Sequence, residues 1–131
     1  MGAVYCITSK IKIKDEKDFI SKGKEFIETY KANFNLDKQA QLGNTTENVK
    51  GIIGIVFVDL GGSLFKYMQD GKTVAFSSGF DASYGWERVM IDFFEAVAPT
   101  LESGSKLTIE PDSGFDVLTV LEDGTVNLEM E

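Results

Sequence analysis

Residues 83–99 repeat large apolar side chains at helical spacing and carry the chain's one tryptophan. Trp86, Val89, Met90, Phe93, Val97 and Ala98 follow the i, i+3, i+4, i+7 rule of a helix with one buried stripe. Glu87, Arg88, Asp92 and Glu95 lie mostly away from that stripe. Ile91 and Phe94 sit off it and need cover from another helix, a sheet or a second chain. Asp81 or Ser83 suits the N-cap, and Pro99 ends or bends the helix. A helix of this kind has to close onto another apolar surface. The segments on both sides of it read as strands, so the chain is constrained to a helix-on-sheet design.

Those segments follow in order. Residues 3–14 alternate, with Tyr5, Ile7, Ile11 and Ile13 on one face and Lys10, Lys12 and Lys14 on the other, the period of a half-buried strand. Asp15 is a candidate N-cap for a helix over about 15–33, whose stripe is Phe19, Ile20, Gly23, Phe26, Ile27, Tyr30 and Phe34. Residues 35–50 are polar and aperiodic and read as a long mobile loop, with one helical turn near Lys38–Leu42 compatible with it. The continuous apolar run 52–58 reads as a strand covered on both faces. Gly61-Gly62 breaks it, 64–68 and 73–77 are further strands, and Asp70-Gly71 is a hairpin turn. After the central helix, 106–110, 115–121 and 126–130 make a second meander, with turns at Pro111-Asp112-Ser113-Gly114 and Asp123-Gly124. The expected fold is a single α+β domain over 1–131. Its order is β-α-βββ-α-βββ, with a mostly antiparallel sheet of six or seven strands and both helices on one face.

At 131 residues a chain can bury one core unaided,. Its single cysteine excludes an internal disulfide framework,. Cys6, in a strand-like run, is expected to be a buried and inert thiol. No run is long enough to span a membrane and no signal peptide is visible, so a cytoplasmic location is expected. The net charge of −8 is unevenly spread. Residues 1–38 hold eight lysines against six acidic residues, while residues 81–131 hold twelve acidic residues against Arg88 and Lys106. This acidic balance argues against a nucleic-acid surface, which needs clustered Lys and Arg. It favours partners that carry positive charge.

Histidine is absent. That removes His-based nucleophile activation, His-ligated metals and the usual general base near neutral pH. A lone cysteine removes thiolate metal clusters. Leu60-Gly61-Gly62-Ser63 lacks the lysine of a phosphate loop, and neither Asp-Gly turn has the ligand spacing of a calcium loop. No catalytic residue, metal site or cofactor is therefore assigned. The segment from Phe80 to Glu87, where Phe80, Tyr84 and Trp86 meet Asp81 and Glu87, is the candidate ligand or partner site, together with Ile91 and Phe94.

The function expected from these features is a small acidic, non-enzymatic interaction module, inhibitory or regulatory, with an unidentified protein partner. Homodimerisation is compatible with it. The alternative is a small-molecule-binding domain with an apolar pocket between sheet and helices, lined by Phe57, Tyr67, Phe76, Trp86 and Phe93. A hydrolase using carboxylates such as Asp81 and Glu87 ranks third.

Overall fold

Alternation in the first segment produces the central strand. The computed structural model describes residues 2–58, 64–83, 85–110 and 114–130. β1 (Gly2–Lys12) buries Tyr5, Ile7, Ser9 and Ile11 on one face and leaves Val4, Cys6, Thr8, Lys10 and Lys12 exposed on the other. It pairs on one side with β3 (Thr73–Ser83) and on the other with β4 (Lys106–Glu110). β2 (Leu64–Asp70), β5 (Asp116–Val120) and β6 (Val126–Met130) complete one antiparallel sheet in the order β2-β3-β1-β4-β5-β6.

This order needs two crossovers. β1 and β2 are both antiparallel to β3 and so run parallel to each other, with β3 between them. β3 and β4 have the same relation across β1. Each parallel pair is joined through helices, because a hairpin cannot link parallel strands. The first link holds α1 (Glu16–Thr29), a 3-10 turn at Lys31–Asn33, α2 (Leu36–Gln41) and α3 (Val49–Phe57). The second holds α4 (Trp86–Val97) and a 3-10 turn at Ala98–Thr100. The fold is thus α+β: an open, antiparallel sheet with helices packed on it.

Asp15 caps α1 by accepting from the amides of Lys17 and Asp18 at 2.9 and 3.3 Å. α1 and α4 meet through Phe93, whose ring stands edge-on to Phe19, Phe26 and Phe57 with centroids 6.3, 5.4 and 5.6 Å away. Such edge-to-face pairs add to plain area burial. At the rim of this contact, the Tyr30 hydroxyl donates to Asp92 at 3.1 Å, and Arg88 donates to Asp92 and Glu95.

Several elements differ from the sequence reading. The apolar run 52–58 is helix, not strand, because it belongs to α3. Asn48 caps that helix by accepting from the Gly51 amide at 2.7 Å. Every α3 residue except Lys50 is buried, so no polar face reveals its period,. Gly51 and Gly54, one turn apart, let the chain at Thr45 and Asn44 close onto the helix. The sheet has six strands among the described residues, within the expected six or seven. Within 35–50 the helical turn expected near 38–42 is present as α2, which Asn35 caps by accepting from the Lys38 amide at 3.1 Å.

Two turns also change. The β2–β3 turn has Gly71 and Lys72 at its centre, and only Gly71 has positive φ, at 61°. The β5–β6 link spans 121–125, where Asp123 accepts from the Thr125 amide at 3.0 Å. α4 starts after Gly85, which makes no side-chain cap, rather than after Asp81 or Ser83. Cys6 is exposed rather than buried, because strand alternation puts it on the open face in step with the lysines,. Gly61-Gly62 and Pro111-Asp112-Ser113 lie outside the described residues.

Candidate functional site

A pocket opens where the end of β3 meets α3 and the start of α4. Its volume is about 170 Å³. Phe34, Ile55, Val58, Phe80, Ala82 and Trp86 form its apolar walls, and Asn33, Asn35, Gln39 and Asp81 supply the polar groups. Each wall follows from local structure. Alternation along β3 puts Phe80 on the helix side and Asp81 on the open face, so the strand gives the pocket the Phe80 ring, while Asp81 borders it with its side chain exposed on the other face of the sheet,. α3 contributes Ile55 because it is a helix.

Trp86, the first residue of α4, is held in place at two points. Its indole N–H donates to the Val56 carbonyl at 3.1 Å. Its ring stands edge-on to Phe34, with centroids 5.5 Å apart. Gln39 is buried, accepting from the Asn44 amide group at 2.9 Å. A shallower concavity of about 520 Å³ runs along residues 31–37 and shares Asn33, Phe34 and Asn35 with the pocket.

The structure divides the sequence-predicted cluster. Phe80, Asp81 and Trp86 line the pocket together. Glu87 does not. One residue further round the helix, it turns about 100° away and faces Asp116 at the start of β5. Its Oε2 is buried without a hydrogen-bond partner, because two carboxylates facing each other are both acceptors,. Burial and the neighbouring Asp116 carboxylate push the Glu87 carboxyl up to about 7, so Glu87 keeps its proton well above the ordinary carboxylate range. Ile91 and Phe94 are core residues, 7% and 3% exposed, and the chain itself covers them. Tyr84 lies outside the described residues.

Of the side chains expected to line a central pocket, Phe57, Phe76 and Phe93 pack solidly. The void among them holds only about 10 Å³, room for one water molecule at most,. Among the described residues, no group of three or more Cys, Asp or Glu side chains is arranged to hold a metal. Among the same residues, no helix is long and apolar enough to cross a membrane. Sequence reasoning missed Phe34, Asn35, Gln39 and Ile55 as lining residues. The one available signal was Asn35 as a cap, which would have placed a helix start beside Phe34.

No family model matches the chain, and neither a curated protein nor a solved structure matches it significantly.

Proposed function

We propose that the protein is a non-enzymatic interaction module that anchors one apolar side chain of a basic protein partner in the pocket beside Trp86. The observation that carries this reading is a small aromatic-walled pocket bordered by Asp81, whose side chain is exposed on the adjoining open face of the sheet. Pocket size favours a side chain over a whole metabolite. A volume of about 170 Å³ is below the roughly 300 Å³ of ordinary small-molecule sites. It is close to the roughly 150 Å³ cavity that accepts one benzene ring. The adjoining concavity along residues 31–37 gives an extended partner somewhere to continue.

Charge supplies the second half of recognition. The chain carries −8 overall, and such a field speeds encounter with cationic partners. A lysine, arginine or terminal amine further along the partner reaches Asp81 around the end of the sheet. Occupying a basic surface in this way makes the module inhibitory or regulatory, acting in the cytoplasm.

Trp86 emission tests the reading directly, since it is the only tryptophan. Peptides with Phe or Leu flanked by lysines should give a saturable change that weakens as salt rises. Asp81→Asn should reduce affinity about tenfold, the worth of one charge-assisted hydrogen bond. Unchanged emission, or equal binding of the same peptide with glutamates in place of lysines, would count against the proposal.

A further inference from the structure

Among the described residues, the outermost strand β6 is paired on one side only, with β5. Its backbone orientation follows from one hydrogen bond. The Leu121 amide donates to the Thr125 carbonyl at 2.8 Å, so Thr125 points toward the β5 side. In an antiparallel strand both backbone groups of a residue point the same way, and direction alternates. Asn127 and Glu129 therefore bond to β5, while Val126, Leu128 and Met130 turn their amides and carbonyls outward. The side chains of these same three residues lie on the helix side of the sheet. Leu118 and Val120, opposite Leu128 and Val126 on β5, are fully buried, yet Leu128 is 41% and Met130 75% exposed. An edge usually blocks further pairing with Lys, Pro or a bulge. β6 carries no Lys or Pro, whereas the opposite edge strand β2 carries Lys66.

We propose that β6 pairs antiparallel with β6 of a second copy, with Leu128 opposite Leu128 on the two-fold axis, so that the two sheets continue as one. Three properties select this partner and register. First, it places Val126 opposite Met130, so all three outward-facing residues of each strand gain hydrogen-bonded partners. Second, it joins Leu128 and Met130 to the same side chains of the other copy, covering the exposed apolar row without asking a helix to move. Third, it sets Asn127 opposite Glu129 on the open face. Asn127 already donates to Glu129 within the strand at 3.2 Å, so the cross-strand neighbours are a donor and an acceptor. Moving the axis to Glu129 would put two glutamates opposite each other, which is unfavourable. Moving it to Asn127 would set Met130 against Gly124, which lies in the turn. Because both copies are acidic, the association should strengthen as salt rises.

Sedimentation equilibrium on the full chain should show a reversible monomer–dimer equilibrium. Leu128→Lys, at a half-exposed position, should raise the dissociation constant at least tenfold, about 1.4 kcal/mol of like-charge repulsion at the axis. In a Cys6→Ser background, Leu128→Cys should form an intermolecular disulfide under mild oxidation, because Cα atoms of such a pair lie about 5.5 Å apart. Asn127→Cys in the same background should not. A chain that stays monomeric to about 1 mM, which corresponds to a binding free energy weaker than about 4 kcal/mol, would overturn the proposal. So would a dimer that Leu128→Lys leaves intact. Cross-linking of the Asn127→Cys variant but not of the Leu128→Cys variant would overturn the register. Circular dichroism of each variant separates loss of pairing from loss of folding.

Discussion

Replacing Glu87 by Gln should stabilise the protein at neutral and alkaline pH and leave it unchanged in acid. Glu87 is half-buried against Asp116, and its carboxyl titrates near 7 instead of its ordinary 4.5. A group whose folded pKa is raised contributes stability that is fully present below the unfolded value and is lost as pH rises through the folded one. The loss therefore runs from about pH 4.5 to about pH 7. Taken at face value, the displacement is worth about 3 kcal/mol. Partial exposure lets water and salt screen much of it, so about 1 kcal/mol is expected. The α4 N-terminus opposes the effect slightly, since its dipole favours a carboxylate there. Gln is isosteric, carries no charge and can donate to Asp116. Urea unfolding of both proteins at about pH 5 and about pH 8 should show the variant gaining about 1 kcal/mol only at the higher pH. An equal difference at both pH values, or a variant less stable at pH 8, would refute the account of a Glu87 carboxyl held protonated by burial and by the neighbouring Asp116.

Further predictions concern packing. A methyl group at Gly51 would overlap the Thr45 carbonyl oxygen, a backbone atom, so Gly51→Ala should cost at least about 2 kcal/mol in chemical denaturation. Gly23→Ala meets only the flexible Ile52 side chain, at 2.8 Å, so the same assay should show a smaller loss, offset by the roughly 1 kcal/mol helix preference of Ala over Gly. Phe93→Ala removes the ring that joins Phe19, Phe26 and Phe57 and should cost about 3–5 kcal/mol by thermal or urea unfolding. Trp86→Phe leaves the Val56 carbonyl without its indole donor and should cost about 1–2 kcal/mol in the same unfolding assay.

The parts of this fold that are legible in the sequence are those with one wet face. β1 alternates because its open side is exposed, and α1 and α4 show a 3.6-residue stripe because their outer sides carry charge. α3 reads as a strand because burial on all sides erases that contrast and leaves only its β-branched residues as a guide,. Asn48 before the run and Gly51 and Gly54 within it are the local evidence for a cap and a packed helix face. The candidate site is legible in half. Phe80, Asp81 and Trp86 are close in sequence and meet at the pocket. Their other neighbours come from 33–39 and 55–58, which reach the pocket only because α2 and α3 are helices. Asp116 cannot be recognised from sequence as the partner of Glu87, because β5 reaches the start of α4 only through the order of the assembled sheet.

The pocket beside Trp86 carries the proposed recognition, and its single indole N–H resonance reports on it with no overlap from other tryptophans. Nitrogen-15 NMR titration with a lysine-flanked phenylalanine peptide should shift that resonance saturably, together with the amides of Asn35, Gln39, Phe80, Asp81 and Ala82, and Asp81→Asn should weaken the effect. An unmoved indole resonance, with shifts confined to the open face of the sheet around Thr8 and Ser77, would contradict it.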